Sequence, residues 1–277
     1  MAAKRAIATA HKMMVWHNGE WKEEGEAAVA ADDGALLRGE GVFETLLGLG
    51  GKVFELERHW KRLGVGCDRF GIGLGEVAQG REICEELLLR NGLTQAGQRV
   101  RVRVTRTPAN WIFTAEAGSS YPDELVLLTS PFTRNEGSSL VGLKAISYGE
   151  NTLALEEGRG RGADEVLIAN TKGDWCEGAW SNVFAVVGGR LLTPPLSSGC
   201  LPGVTRELTI ELAREEGIEV LEVALPMNRV GEGEELFLTS SLLGLGAIRK
   251  FDGRDFAEGS VTCRLRELLS EREASRG

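Results

Sequence analysis

Three features in the second half of the chain could act together in chemistry: a lysine, a carboxylate and a helix start that follows a glycine. Lys144 interrupts an apolar run at 140–146, where an ammonium group shifts its pKa downward unless it is paired. Glu177 follows a predicted strand. In the segment Leu201–Arg206 a proline–glycine turn precedes Thr205, which is a good residue to begin a helix.

These groups match what pyridoxal phosphate requires from a protein. An amine with a lowered pKa can form a Schiff base, and a carboxylate can hold a ring nitrogen protonated. Free N–H groups at a helix start bind phosphate, and the hydroxyl groups of Thr239-Ser240-Ser241 suit phosphate or carboxylate oxygens. Taken singly, each feature also fits a plain structural role: a solvent-facing lysine on an edge strand, a surface charge and a capped helix.

Composition and charge exclude several classes of function. The formal net charge of -9 and the pI near 5.1 argue against binding nucleic acid through its phosphates. Five cysteines without a C-x-x-C pair, and only three histidines, predict no metal site and indicate a reducing compartment. No apolar run approaches the ~20 residues of a membrane span. We therefore expect a cytoplasmic protein, with residues 1–14 as a disordered basic leader.

Predicted strands and helices follow one another without a regular alternation. Asn18-Gly19 between apolar flanks predicts a hairpin, and strict alternation at 99–105 predicts a strand. Further strands are predicted at 41–47, 123–130, 140–148, 165–170, 182–187, 220–223 and 235–239. Helices are predicted at 56–63, 76–89, 151–157, 205–216 and 261–272.

This mixture predicts an α+β fold with two domains joined by a short linker. The polar, turn-rich stretch at 131–139 is the predicted linker. After the leader, we expect a small N-terminal domain at 15–130 and a large C-terminal domain at 140–277 that binds pyridoxal phosphate.

The motifs extend over nearly the whole chain from about Val15. In order they are Arg38-Gly-Glu-Gly-Val-Phe-Glu-Thr, His59-Trp-Lys-Arg-Leu, Gly162-Ala-Asp-Glu, Glu177-Gly, Ser181-Asn-Val-Phe, Thr193-Pro-Pro, Leu201-Pro-Gly-Val-Thr-Arg and Phe237-Leu-Thr-Ser-Ser. In this order and spacing the chain resembles the class IV, or fold-type IV, pyridoxal-phosphate-dependent aminotransferases. That family includes D-amino-acid and branched-chain aminotransferases and 4-amino-4-deoxychorismate lyase.

The resemblance implies a role for each part of the site. Lys144 would form the Schiff base with the cofactor and carry the proton between substrate and cofactor, while Glu177 would pair with the pyridinium nitrogen. Tyr148 would contact the ring hydroxyl. The phosphate would be bound by Arg62, by the amides of Val204 and Thr205, and by Ser240 or Ser241. The family also implies a homodimer with active sites near the subunit interface.

The substrate end departs from the best-known pattern of the D-amino-acid enzymes. Their Arg-x-His carboxylate trap is absent, and Phe43 stands where they carry a tyrosine. Arg99, Arg101 and Arg103 fall on one face of a strand that lines the substrate pocket in relatives. Arg38 occupies a position that reaches the partner subunit's site in relatives. A guanidinium group suits a carboxylate better than an aliphatic side chain, although a solvated basic face is also possible.

We therefore expect transamination between an amino acid, best a D-amino acid, and a 2-oxo acid such as α-ketoglutarate or pyruvate. The alternative is a 4-amino-4-deoxychorismate lyase that releases pyruvate and 4-aminobenzoate. A branched-chain aminotransferase and a non-catalytic protein that binds pyridoxal phosphate are further alternatives. Retention of both Lys144 and Glu177 argues against the non-catalytic protein.

Overall fold

The computed structural model describes residues 12–118, 122 and 124–276. Most of the predicted leader at 1–14 lies outside these residues, and the first strand already begins at Met14. The strands are β1 (Met14–His17), β2 (Glu20–Glu23), β3 (Val42–Leu49), β4 (Lys52–Val53), β5 (Arg99–Arg106), β6 (Trp111–Ala117), β7 (Leu125–Arg134), β8 (Glu165–Asn170), β9 (Trp175–Gly178), β10 (Asn182–Val187), β11 (Arg190–Thr193), β12 (Val220–Glu222), β13 (Glu235–Ser240), β14 (Gly244–Phe251) and β15 (Arg254–Asp255). The helices are α1 (Gly34–Arg38), α2 (Leu56–Phe70), α3 (Val77–Arg90), α4 (Gly149–Gly160), α5 (Val204–Glu215) and α6 (Ser260–Arg276).

The first sheet contains six strands in the order β2-β1-β6-β5-β3-β4, all antiparallel. The predicted Asn18-Gly19 hairpin is present, and both residues adopt positive φ angles of 52° and 94°. Strand β5 alternates as predicted. Val100, Val102 and Val104 are fully buried against helices α2 and α3, so the arginines between them point to the opposite face.

The second sheet contains nine strands, with β12-β11-β10-β13-β14-β7-β8-β9 along its path and β15 paired to β14. Parallel pairing joins β14 to β7 and β7 to β8, where the apolar face of α4 covers the strands. Helices α5 and α6 cover β10 and β13 through Leu208 and Leu265. Leu47 of β3 belongs to the same apolar cluster, which therefore joins the two sheets.

The prediction of a strand at 140–148, the segment that contains Lys144, is wrong. These residues form turns and a single bridge between Ala145 and Val42. Gly142 adopts a positive φ of 75°, which breaks the extended run that the apolar pattern predicts. Strands β6, β9, β11 and β14 were not predicted; β14 begins with Gly-Leu-Gly, which weakens a strand signal.

The predicted domain limits remain a proposal, but the sheets refine where a boundary can fall. Strand β7 runs to Arg134 within the second sheet, so residues 131–134 of the predicted linker are part of a strand. The change of sheet falls between Ala117 and Leu125. The α+β class itself is confirmed. No helix in the described ranges is long and apolar enough to span a membrane.

Helix α3 packs closely on α2, where Gly80 lies against the ring of Trp60. A Cβ atom at position 80 would overlap that ring, which is held because its Nε1 donates to the carbonyl oxygen of Gly75 at 2.9 Å. We expect Gly80→Ala to lower the free energy of unfolding of the apoprotein by about 1–3 kcal/mol, measured by urea denaturation.

The matched control is Gly160→Ala at the end of α4, because a Cβ there meets no atom within 4 Å. That change is expected to leave the free energy of unfolding unchanged or to raise it. Equal stability of Gly80→Ala and the unchanged protein would contradict the close packing of the two helices.

Candidate active site

A cavity of about 310 Å³ lies between the two sheets and collects most of the predicted site residues. Its wall includes the predicted cofactor residues Arg62, Lys144, Tyr148, Glu177, Val204, Thr205, Ser240 and Ser241. The predicted substrate residues in its wall are Phe43, Arg101 and Arg103. Arg38 and Arg99 are not part of this wall. Residues far apart in the sequence therefore meet in one cavity.

Lys144 does not lie in a strand, and backbone hydrogen bonds to the start of β3 hold its segment in place. Its carbonyl oxygen accepts from the amide of Phe43 at 2.8 Å, and the amide of Ile146 donates to Gly41 at 2.9 Å. Burial and then the nearby charge of Arg62 lower the pKa of Lys144 to about 8. About a tenth of this amine is therefore neutral and nucleophilic at pH 7, far more than of a lysine with an ordinary pKa.

Aromatic rings surround the lysine. The Nζ atom of Lys144 lies 4.6 Å from the centre of the Phe43 ring and 5.1 Å from that of Tyr148. The two rings meet edge to face at 5.3 Å. Burial raises the pKa of the Tyr148 hydroxyl and keeps it protonated, so it is available as a hydrogen-bond donor.

Glu177 is a buried carboxylate with two partners. Its Oε2 accepts from the amide of Leu201 at 2.8 Å, and its Oε1 lies 3.3 Å from Nη2 of Arg134. Burial raises the pKa of Glu177, while Arg134, the Leu201 amide and Lys144 oppose that rise. These partners favour the ionised form of a carboxylate that would otherwise bind a proton.

A second buried carboxylate, Glu165, shapes the turn that follows Glu177. It accepts from the amides of Ala179 and Trp180 and from the hydroxyl of Ser181, at 3.0–3.1 Å. A Cβ at Gly178 would overlap Ser181, so only glycine fits there. This turn places Trp180 and Ser181 in the cavity wall.

The start of α5 lies at one end of the cavity without a side-chain cap. Its N-cap residue is Gly203, where a Cβ would overlap Asn182, and Asn182 in turn donates to the Leu201 carbonyl at 2.9 Å. The first amides of a helix have no intrahelical acceptor. The nearby hydroxyl of Thr239 is buried and has no partner among the described residues. This end of the cavity therefore has several hydrogen-bond donors without a partner among the described residues.

Arg62 reaches the same end from α2. Its Nε and Nη2 atoms donate to the two oxygens of Glu44 at 2.7 and 2.6 Å, and its Nη1 donates to the Pro202 carbonyl at 2.9 Å. His59, one turn earlier, contacts Glu44 through Nδ1 at 2.8 Å. A single carboxylate of β3 thus holds two side chains of α2 beside the start of α5.

The cavity wall also includes two arginines of β5, Arg101 and Arg103. The guanidinium of Arg103 lies 3.9 Å above the Phe43 ring, and within the described chain it makes no ion pair. Desolvation and the charge of Arg101 lower the pKa of Arg103. Arg101 pairs with the exposed Glu116 at 2.7 Å. Arg103 is therefore the cation most available to a substrate.

The two remaining predicted arginines have partners elsewhere. Arg99 pairs with Glu273 of α6 at 2.6 Å and donates to the Leu242 carbonyl at 3.2 Å. Arg38 is exposed at the end of α1 and pairs with Glu40 at 2.6 Å. Neither contributes to the cavity within one chain.

Sequence reasoning missed Glu44, Glu165 and Arg134. Glu44 stands inside the apolar run of β3, and a charged residue in such a run requires a partner. That signal was present in the sequence. By contrast, nothing local to Arg134 indicates its contact with Glu177, because the two residues belong to different strands. Among the described residues no cluster of histidine, cysteine and carboxylate side chains suits a metal ion.

Comparisons with known proteins identify the family. The family described as amino-transferase class IV matches residues 41–251. The chain is 29% identical over 278 residues to a Methanocaldococcus jannaschii protein named provisionally as a branched-chain-amino-acid aminotransferase, and the match covers 94% of this chain and 96% of that relative. Because the family match covers more than half of the chain, the protein belongs to the class IV aminotransferases.

Solved structures agree on the fold. The branched-chain aminotransferase from Thermoproteus uzoniensis, solved with norvaline, matches with a TM-score of 0.89 at 26% identity and covers 94% of each chain. A Legionella pneumophila protein named provisionally as a 4-amino-4-deoxychorismate lyase has a TM-score of 0.83 at 24% identity, covering 90% of this chain and 97% of that one, a likeness of fold alone. The predicted family and fold are confirmed, and the protein is an enzyme that uses pyridoxal phosphate.

The cavity fits this cofactor on structural grounds. An amine with a lowered pKa lies between the two sheets, and a buried carboxylate lies in the same wall. The uncapped start of α5, the unpaired hydroxyl of Thr239 and the guanidinium of Arg62 supply donors that suit a phosphate group.

The lowered pKa of Lys144 predicts how uptake of pyridoxal phosphate by the apoprotein depends on pH. The neutral amine is the nucleophile, and its fraction rises as the pH rises through a pKa of about 8. We expect the uptake rate to rise about ten-fold per pH unit below that value and to level off above it, measured by stopped-flow absorbance.

Lys144→Ala should abolish the visible absorption band of the bound cofactor, whereas Lys172→Ala, which changes an exposed lysine, should preserve it. The reaction of free Nα-acetyl-lysine with the cofactor provides the reference for an unshifted amine. A midpoint for the protein as high as that of the free amine would contradict the effect of burial.

Proposed function

We propose that this class IV aminotransferase transfers an amino group from a D-amino acid to a 2-oxo acid such as 2-oxoglutarate or pyruvate. The observation that carries the proposal is Arg103, a guanidinium in the cavity wall without an ion pair in the described chain. A guanidinium binds a carboxylate through paired hydrogen bonds. Every amino-acid and 2-oxo-acid substrate supplies a carboxylate that can bind this guanidinium.

Lys144 and Glu177 have separate roles in the proposal. When bound, pyridoxal phosphate supplies an electron sink for the bond broken at the substrate Cα atom. Lys144 holds the cofactor through its Nζ atom and, once released, moves a proton to or from that Cα atom. Glu177, which pairs with Arg134 and accepts from the Leu201 amide, holds a proton at the ring nitrogen. Tyr148 donates to the ring hydroxyl.

The other proposed cofactor residues bind the phosphate. Arg62 and the amides at the start of α5 are oriented by contacts within the protein before the ligand arrives. Such preorganised donors lose little entropy when an anion binds. The residues assigned to this end are Arg62, Val204, Thr205, Ser240 and Ser241.

The position of the substrate carboxylate determines the enantiomer. The hydrogen at Cα must face Lys144, and the amino nitrogen must face the cofactor. The carboxylate and the side chain therefore occupy the two remaining directions, and exchanging them inverts the configuration. In our proposal the α-carboxylate lies at Arg103 and the side chain extends toward Leu242. An arginine of β5 thus replaces the absent Arg-x-His trap. Phe43 supports it by stacking under the guanidinium.

Two other candidates have specific support. The relatives from Methanocaldococcus jannaschii and Thermoproteus uzoniensis are named for branched-chain substrates. Phe43, Trp180 and Leu242 give the cavity apolar surface for such a side chain. In that case an L-amino acid would exchange the two positions, with its side chain at Phe43 and its α-carboxylate away from Arg103. For the lyase, Arg101 and Arg103 together offer two cations for a substrate with two carboxylates.

The three candidates make different predictions for single-turnover reactions of the holoenzyme. We expect D-alanine and D-glutamate to convert the visible absorption band of the cofactor to that of its amine form, with L-leucine at least about 100-fold slower. Faster reaction of L-leucine would overturn the D-amino-acid assignment in favour of a branched-chain enzyme. Pyruvate release from aminodeoxychorismate without amino transfer would identify the lyase.

Arg103→Gln tests the carboxylate site directly. We expect it to raise KM for D-alanine by about 10–100-fold, as for the loss of a charge-assisted hydrogen bond. The matched control is Arg99→Gln, because Arg99 lies on the same face of β5 but is paired with Glu273 outside the cavity wall. Equal effects of the two changes on KM would contradict the assignment.

We further propose a cytoplasmic homodimer. Leu36 and Leu37 of α1 are 66% and 60% exposed beside Arg38, which suits burial against a second copy that receives Arg38 at its active site. The free cysteines of the described chain agree with a reducing compartment. Sedimentation of the holoenzyme as a monomer would refute the dimer, and recovery of the protein in a secreted fraction would refute the location.

A further inference from the structure

Glu44 is the most deeply buried charged group near the cavity, with 1% of its surface exposed. Burial alone would raise the pKa of Glu44, but the charge of Arg62 and the hydrogen bonds from Arg62 and His59 outweigh it and lower the pKa to about 2. The carboxylate is therefore ionised, and an ionised carboxylate only accepts hydrogen bonds. No described reaction step requires this group to contact substrate.

The contacts of Glu44 determine which donors Arg62 has left. A guanidinium carries five N–H groups in one plane. Nε and Nη2 each give one N–H to Glu44, and Nη1 gives one to the Pro202 carbonyl. One N–H therefore remains on each terminal nitrogen. Because the other three are held at 2.6–2.9 Å, the plane of the guanidinium is fixed.

Glu44 also determines the protonation of His59. Since Glu44 only accepts, Nδ1 of His59 must carry the proton in the 2.8 Å contact. Burial lowers the pKa of His59 despite the charge of Glu44, and the charges of Arg62 and Lys144 act in the same direction. The ring is then neutral, and its Nε2 accepts from the hydroxyl of Ser241 at 3.4 Å.

We propose that Glu44 is a positioning residue that makes this site selective for a phosphorylated cofactor. It holds Arg62 with one free N–H on each terminal nitrogen and, through His59, orients Ser241 at the same end of the cavity. The inference rests on the proposed function, in which Arg62 and Ser241 bind the phosphate. Charge alone would have the opposite effect, because a carboxylate repels a phosphate dianion. The sign of the effect therefore separates positioning from electrostatics.

Binding of two forms of the cofactor to apoprotein tests the proposal without measuring activity. Pyridoxal phosphate and pyridoxal share the aldehyde and the ring, and they differ in the phosphate. We expect Glu44→Gln to weaken binding of pyridoxal phosphate by about 10–100-fold and to leave binding of pyridoxal within about two-fold. Inorganic phosphate should also compete less well with pyridoxal phosphate in the variant. Stronger binding of pyridoxal phosphate, or equal loss for both forms, would overturn the proposal.

The matched control is Glu235→Gln. Glu235 is a similarly buried carboxylate, and it accepts from the amide and hydroxyl of Thr262 at the start of α6, away from the cavity wall. Its loss should lower stability without changing the ratio of the two affinities. If Glu44→Gln does not fold, Glu44→Asp decides, because it keeps the charge and withdraws the oxygens from Arg62. An unchanged affinity ratio in Glu44→Asp would then refute positioning.

The unchanged protein separates this inference from the proposed function. If it binds pyridoxal phosphate no better than pyridoxal, the phosphate end itself has been assigned wrongly. If it prefers pyridoxal phosphate and Glu44→Gln keeps that preference, the phosphate end stands and only the role of Glu44 fails.

Discussion

Three ionisable side chains, Glu44, Lys144 and Glu177, lie between the two sheets where little water reaches them. Desolvation disfavours the charged form of each group, and the three groups differ in the partners that oppose this effect. Glu44 has two cationic or polar partners and stays ionised. Glu177 has one arginine at 3.3 Å and one amide, and burial still raises its pKa. Among the described residues Lys144 has no carboxylate in contact, and it lies near Arg62, so its pKa falls to about 8.

The fold creates these environments by placing residues of both sheets around one cavity. Strand β3 contributes Phe43 and Glu44 on opposite faces, one toward the lysine and one toward α2. The Lys144 segment depends on the same strand for its backbone hydrogen bonds. A residue of the predicted C-terminal domain is thus held by the first sheet, and the site exists only when both sheets are assembled.

The sequence alone allowed prediction of Lys144, Glu177 and the start of α5, because each is an unusual residue or turn in its local pattern. It also predicted β5 and its arginine face, since alternation is a local property. Partners could not be predicted in the same way: Arg99 and Glu273 are 174 positions apart and meet only through packing. The apolar run around Lys144 suggested a strand, but Gly142 and the contact with β3 determine its conformation instead.

The Glu44–Arg62 pair also constrains how this sequence can change over evolutionary time. Removal of either partner leaves a buried charge uncompensated, at a cost of about 3–5 kcal/mol, which is a large part of a typical domain's stability. Replacement of both by apolar residues could preserve the fold. That route, however, removes Arg62, which we propose binds the phosphate of the cofactor. Substitution of either residue alone is therefore disfavoured because it destabilises the protein, and substitution of both is disfavoured because it removes Arg62. The two positions are therefore expected to change together.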